Sequence, residues 1–194
     1  MDKANSNGAV LSHTEAIYRP GDRELAIAFF EALGCKTYDT GTLSLSGKTY
    51  VSVHPDPGNR GLDHVIYLSE MTPEQCQLEQ VLRSRIEEDD EVAGARSGYR
   101  RLATEKPFGL SHIAIRYPDF PSLERVLDGL EDRLTPEMKQ RSTLRVFRPG
   151  DSEDITWESV QAFVYTDIAV AGITLFGQIY ELSAYGPFPG AEAS

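Results

Sequence analysis

The chain has 194 residues, of which 40% are hydrophobic and 25% are charged, and this composition suits a folded protein of one large or two small domains. Its 19 Lys and Arg residues stand against 30 Asp and Glu residues, so the formal net charge is −11. A charge of that sign argues against general binding to nucleic acid or to an anionic membrane, because both carry negative phosphates.

Compartment and targeting are predicted from three features. Cys35 and Cys76 are the two cysteines, so no disulfide framework holds the fold and a reducing cytoplasm is the expected location. The polar residues 1–8 lack the apolar core of a signal peptide. No apolar run approaches the roughly 20 residues that span a bilayer, so we expect no membrane association.

Residues 10–54 predict a strand, a helix and three further strands. Residues 10–19 form the first strand, which a Pro-Gly break ends. Asp22 is a favourable helix N-cap, and apolar residues at helical spacing then give residues 22–34 one buried face. Three short strands with glycine-containing breaks between them follow, at residues 35–40, 42–46 and 49–54.

The middle of the chain is less regular. Residues 62–69 predict a strand, and Thr72 then caps a helix. The acidic run at residues 87–91 predicts a solvated helix end or loop, because like charges repel. Residues 92–108 are rich in Gly, Ala and Arg, and we interpret them as a connection with one short strand near Tyr99.

The opening pattern then returns. Residues 112–119 have the same outline as residues 15–22, which is a strand ending in a proline-containing break, followed by an Asp cap. An amphipathic helix begins at Asp119. Three later strands are predicted at residues 143–147, 159–166 and 172–185. The repeat therefore predicts two similar modules.

Three short motifs carry a resemblance to a known family. The helix at residues 22–34 has an Asp, Ala, Phe-Phe, Leu-Gly pattern, residues 112–119 are a strand that opens with histidine, and residues 177–182 run from Gly to Glu-Leu. They resemble the first helix, the opening strand and the closing strand of modules in the vicinal oxygen chelate superfamily. That superfamily includes glyoxalase I, extradiol dioxygenases, and fosfomycin-resistance and bleomycin-binding proteins. The resemblance covers residues 10–54 and 110–183.

The resemblance implies an α+β fold of paired βαβββ modules that form a cupped, partly open barrel-like sheet. Residues 9–108 are then the first module, enlarged by an inserted strand-helix segment at residues 57–108. Residues 109–186 are the second module, and residues 1–8 and 187–194 are flexible tails. Side chains from the first and last strands of each module are expected to point into the cup.

In many members of the family, those side chains bind one divalent metal, here expected to be Fe, Mn, Ni or Zn. Two imidazoles and one carboxylate leave open positions where two substrate oxygens can chelate. His112 stands where the family has its opening-strand histidine, seven residues before Asp119, and Glu181 matches the closing-strand carboxylate. The resemblance therefore implies His112 and Glu181 as metal ligands.

The third ligand has several candidates. Seven residues before the cap of the first helix stands Glu15 rather than a histidine. His13 lies two residues earlier on the same face of the strand, because strand side chains alternate. His64 also resembles an opening-strand histidine. We expect His64 or His13 to complete the site, unless Glu15 replaces the family ligand or the position binds no metal. A structural or surface role is expected for His54.

The leading hypothesis is a metal-dependent enzyme of the vicinal oxygen chelate type that acts on a small organic molecule. It would be a glyoxalase-like lyase or isomerase, or an extradiol-type dioxygenase, with Tyr180 or else Tyr165 as a catalytic proton donor. The alternative is a metal-free binding protein that sequesters an apolar or aromatic small molecule in the same cavity. A third hypothesis is a structural or partner-binding protein of this fold. The resemblance also implies a homodimer.

Overall fold

Two four-stranded mixed sheets and six α-helices make up the described part of the chain. The computed structural model describes residues 11–58, 61, 63–151 and 159–185. The α+β class predicted from the sequence is therefore confirmed. The predicted tails, residues 1–8 and 187–194, lie outside the described residues. None of the helices in the described ranges is long and apolar enough to cross a membrane.

The elements of the first half are β1 (His13–Tyr18), α1 (Arg23–Ala32), β2 (Lys36–Leu43), β3 (Thr49–His54), β4 (Val65–Glu70), α2 (Pro73–Glu88) and α3 (Asp90–Glu105). Those of the second half are β5 (His112–Arg116), α4 (Phe120–Asp128), α5 (Leu130–Arg133), α6 (Pro136–Arg141), β6 (Ser142–Phe147), β7 (Ser159–Thr166) and β8 (Gln178–Tyr185). Single 3₁₀ turns precede β5 and β8, at Pro107–Gly109 and Thr174–Phe176.

Both sheets have the same strand order. The first is β1-β4-β3-β2 and the second is β5-β8-β7-β6. In each sheet the first and last strands along the chain lie parallel, and the other neighbours are antiparallel. Parallel strands need a crossover connection, and each crossover here contains helix, α1 in the first half and α4 to α6 in the second. The predicted repeat is therefore a repeat of βαβββ order.

The first sheet differs from the prediction at two strands. The segments predicted as separate strands at 35–40 and 42–46 are one strand, β2, because Gly41 lies in a bulge and not in a turn. Pairing with β3 shifts between Asp39 and Leu43, and Gly41 adopts a φ of +70° there. The strand predicted after residue 61 is β4, the fourth strand of this same sheet. Along the chain, α2, α3 and a 3₁₀ turn lie between β4, the last strand of the first sheet, and β5, the first strand of the second.

The connection predicted at residues 92–108 is wrong, because most of it is α3. The Asp89 side chain caps this helix by accepting hydrogen bonds of 3.0 and 3.1 Å from two backbone amides of its first turn. Gly94 and Gly98 weaken the helical pattern by about 1 kcal/mol each relative to alanine, a cost that packing against the second sheet offsets. The acidic run is exposed where α2 ends and α3 begins, as predicted.

One face of each sheet packs into a core shared by both halves. The predicted apolar stripe of α1 supplies Phe29 and Phe30, both fully buried. Their rings meet the ring of Tyr180 on β8, with centroid separations of 5.9 and 5.2 Å. The helix of the first half therefore packs on a strand of the second half, and the two sheets are joined through this core.

Helix α3 covers part of the other face of the second sheet. Ala103 of α3 packs with Phe163, Tyr165 and Ile179, which alternate with the core-facing residues of β7 and β8. Phe108, just after α3, adds ring contacts with Phe163 at 6.1 Å. The corresponding face of the first sheet has no such cover among the described residues, since His13 and Glu15 are exposed on it.

Ion pairs of Arg141 link the two halves of the molecule. It donates hydrogen bonds of 2.8 Å to Asp22, at the start of α1, and of 2.8 Å to Asp167, after β7. Arg19 also binds Asp167 at 2.9 Å. Burial alone would raise the pKa of Asp167, but the hydrogen bond from Arg141 and the charges of Arg19 and Arg141 outweigh it and lower that pKa.

Arg141→Met is expected to reduce the free energy of unfolding at pH 7 by about 1–2 kcal/mol. This cost is smaller than that of breaking a fully buried ion pair, because Asp167 keeps its ion pair with Arg19. A depressed folded-state pKa stabilises the protein above the pKa of an unfolded Asp, about 3.9, and this stabilisation disappears as pH falls through the folded-state value. Urea denaturation should therefore show the gap between wild type and variant narrowing below about pH 4. A gap that stays constant from pH 7 to pH 3 would contradict this role.

Candidate functional site

The second sheet brings two predicted ligands together. His112 opens β5, and Glu181 lies on the neighbouring strand β8, where Ala114 is its paired residue. The two side chains therefore meet diagonally on one face, with His112 Nε2 3.0 Å from Glu181 Oε2. Glu181 is only 5% exposed, so its carboxylate needs the partners that surround it.

Every polar atom of this pair has a partner. His112 Nδ1 lies 2.8 Å from the carbonyl oxygen of Leu110 and donates to it, because a carbonyl only accepts. His112 Nε2 lies at hydrogen-bond distance from Glu181 Oε2. Gln161 Nε2 donates to the other carboxylate oxygen at 3.0 Å. These contacts link β5, β8 and β7, and we call the histidine and the carboxylate the His112–Glu181 pair. Among the described residues, Gln161 Oε1 is buried without a hydrogen-bond partner.

The predicted set of four metal ligands is not assembled. Among the described residues, no group of three or more His, Cys, Asp or Glu side chains is placed to hold a metal ion. His13 and His64 therefore do not join His112 and Glu181. Catalytic metal sites in proteins usually take three protein ligands, so a histidine and one carboxylate do not fit such a site by themselves.

Strand register shows which residues of the first sheet correspond to the pair. On β1 the residue paired with Tyr67 is Glu15, two positions after His13, just as Ala114 is paired with Glu181 two positions after His112. His13 is thus the counterpart of His112, and Tyr67 is the counterpart of Glu181. Counting back from the helix cap misses this, because His13 stands nine residues before Asp22, whereas His112 stands seven residues before Asp119.

In the first sheet an aromatic contact takes the place of the ion pair. The rings of His13 and Tyr67 meet edge to face, with centroids 5.3 Å apart. His64 stands just before β4 with a φ of +60° and lines a cavity of about 360 Å³ along the edges of β1 and β5, to which His13 and His54 also contribute. Neither His13 nor His64 has a carboxylate at ion-pair distance in the described part of the chain.

Neither predicted tyrosine is placed to act at the pair. Tyr180 points to the opposite face of β8, is fully buried, and donates a hydrogen bond of 3.1 Å to the carbonyl oxygen of Ala169. Burial raises its pKa. Tyr165 lies under α3 and donates to the carbonyl oxygen of Phe176 at 2.9 Å. We therefore assign Tyr180 to the core and withdraw its catalytic assignment.

The uncovered face of the first sheet forms a cavity of about 550 Å³, which we call the first-sheet cavity. Its lining is polar and aromatic and includes His13, Glu15, Tyr50, Ser52, His54 and Tyr67. These positions alternate along β1, β3 and β4, as residues on one face of a sheet must. A volume of this size is in the range of small-molecule sites, about 300–1,000 Å³.

Hydrogen bonds fix the polar groups of this cavity. Ser69 Oγ donates to Glu15 Oε1 at 3.0 Å, and Ser52 Oγ lies 3.1 Å from His54 Nε2. The pKa of the Tyr50 hydroxyl is raised mainly by burial and further by the nearby Glu15 carboxylate. Tyr50, Ser52 and Tyr67 were not predicted as site residues, although their two-residue spacing from His54 and Ser69 indicates that they share one face of the sheet.

Comparisons with protein-family models, with curated proteins and with solved structures find no significant match to this chain. The first-sheet cavity and the His112–Glu181 pair are therefore the two features that indicate a function.

Proposed function

We propose that this protein binds a small organic molecule in the first-sheet cavity without a metal. The observation that carries the proposal is the contrast between the two sheets. On the second sheet, α3 and the His112–Glu181 pair occupy the polar face, whereas on the first sheet aromatic and polar side chains line a cavity of about 550 Å³. Concave sites with aromatic walls and a few fixed polar groups are typical of ligand binding.

We also propose kinship with the vicinal oxygen chelate superfamily. The βαβββ order, repeated with the same strand order, supports it. The cavity of about 360 Å³ along the edges of β1 and β5 supports the finer proposal that the two sheets form one cupped, partly open barrel-like surface. The cytoplasmic location and the homodimer expected from the sequence stay predictions.

A metal-dependent enzyme of the glyoxalase-like or dioxygenase type is the second candidate. One observation favours it, the anchoring of His112 Nδ1 on the Leu110 carbonyl, which is how metal-binding histidines are commonly oriented. The position of Glu181 Oε2 beside Nε2 is also compatible with two ligands of one ion. A third protein ligand is absent from the described residues, so we derive no step through a metal.

Elemental analysis of the purified full chain separates the two candidates. We expect no stoichiometric Fe, Mn, Ni or Zn, and no shift of Tm when each ion is added to wild type or to His112→Ala. Stoichiometric metal that is lost in His112→Ala would overturn the metal-free proposal and favour the enzyme.

Ligand binding is tested on the cavity walls. Tyr67→Ala is expected to weaken binding of aromatic fragments found by NMR screening by about tenfold, because a buried ring face contributes roughly 1–2 kcal/mol. Tyr185→Ala, an exposed residue of the second sheet, is the matched control and should leave binding unchanged. Equal effects of both variants would contradict placement of the ligand in the first-sheet cavity.

A further inference from the structure

The Glu15 carboxylate is presented to the first-sheet cavity by hydroxyl groups. It lies on the exposed side of β1, and Ser69 Oγ holds its Oε1 at 3.0 Å from the neighbouring strand β4. Tyr50 on β3 lines the same cavity, and the nearby Glu15 carboxylate contributes, after burial, to the raised pKa of its hydroxyl. Both partners are neutral, so they orient the carboxylate and leave its negative charge uncompensated.

Glu15 differs from Glu181 in having no cationic partner among the described residues. In the described part of the chain, no Lys, Arg or His nitrogen forms an ion pair with Glu15, even though His13 lies two residues away on the same face. The contrast with the second sheet is direct, since there the carboxylate of Glu181 has the His112 ring at 3.0 Å. A carboxylate held over a cavity without a counter-charge attracts a positively charged ligand.

Aromatic rings beside the carboxylate favour the same kind of ligand. Tyr50 and Tyr67 stand next to each other with ring centroids 6.2 Å apart and planes at 73°. The face of a tyrosine ring attracts an ammonium or guanidinium group, and its edge packs against an apolar body. The net charge of −11 adds a long-range attraction for cations over the whole molecule.

We propose that the ligand of the first-sheet cavity is an organic cation, whose ammonium or guanidinium group binds Glu15 while its apolar or aromatic body packs against Tyr50 and Tyr67. This proposal rests on the proposed function, because it names the class of molecule bound at the same site. It adds that charge, and not only shape, selects the ligand.

The test uses matched probes that have similar aromatic bodies and differ in the charge of the head group. One set is phenethylamine, phenethyl alcohol and phenylacetate, and a larger set is naphthylmethylamine, naphthalenemethanol and naphthoate. NMR titration of the isotope-labelled full chain should show that the amines shift the signals of the cavity residues. We expect the alcohols to bind about tenfold more weakly, as one ion pair and one cation–π contact predict, and the acids more weakly still.

Glu15→Gln should reduce the affinity for the amines to that for the alcohols, while the control Glu24→Gln, which removes the same charge at an exposed site, should leave it unchanged. Alcohols that bind the cavity as tightly as amines, or an unchanged amine affinity in Glu15→Gln, would overturn the cation proposal and leave the proposed function standing. If no probe of either set shifts the cavity signals, both proposals fail.

Discussion

Tyr180→Ala is expected to lower the free energy of unfolding by about 3–5 kcal/mol, the range for deleting a fully buried aromatic ring. The ring is enclosed by Phe29 and Phe30 of α1, so its loss opens a cavity where the two halves of the molecule meet. Urea denaturation of wild type and variant measures the difference, and the fragments that bind the first-sheet cavity should keep their affinity wherever the variant is folded.

The matched control is Tyr180→Phe, which keeps the ring and removes the hydroxyl. It leaves the buried carbonyl oxygen of Ala169 without its donor, which costs about 1–2 kcal/mol. A variant Tyr180→Phe of unchanged stability but abolished ligand binding or turnover would contradict the core assignment and restore the catalytic one.

The parts of the fold that were predicted correctly are those whose local sequence and tertiary packing agree. The stripe on α1 and the side-chain caps at Thr72 and Asp119 gave helices where expected, and these caps are made with hydrogen bonds of 3.3 and 2.8 Å. Asp22 was expected to cap α1, but its side chain binds Arg141 instead. A partner 119 residues away along the chain is invisible to a local pattern.

Glycine caused two errors of secondary structure. Gly41 sits at a bulge within β2 and not in a turn, and Gly94 and Gly98 lie inside α3. In each case the preference of glycine for irregular backbone is a weak local signal of about 1 kcal/mol, which packing of the whole element overrides. Strand β4 was found, but its place in the first sheet depends on pairing with β1, which no local pattern records.

The candidate sites were predictable to different degrees. The His112–Glu181 contact followed from two motif positions, because the parallel pairing of β5 with β8 brings the opening and closing strands side by side. The first-sheet cavity was missed because its lining comes from all four strands of the sheet and contains no motif. Glu15 was considered only as a replacement metal ligand, because a sequence does not show which charged side chains among the described residues lie near it.

Glu181→Ala is expected to lower the free energy of unfolding by about 2–3 kcal/mol. The substitution removes the acceptor of two hydrogen bonds, from His112 and from Gln161, on a face where Glu181 itself is almost fully buried. The expected cost lies below that of a completely buried pair because the His112 side chain is 28% exposed and can be solvated. Urea denaturation at pH 7 in the absence of added metal gives the measurement.

Glu124→Ala is the matched control, because Glu124 also pairs with a cation, Arg148 at 2.7 Å, but both side chains are at least 30% exposed. That variant should cost no more than about 1 kcal/mol, as surface ion pairs do. A double-mutant cycle between His112→Ala and Glu181→Ala should return a coupling of about 1–2 kcal/mol. If Glu181→Ala lowers the free energy of unfolding no more than the control does, the pair does not stabilise the packing of β5 beside β8. If the destabilisation appears only when metal is bound, the second sheet holds a metal site.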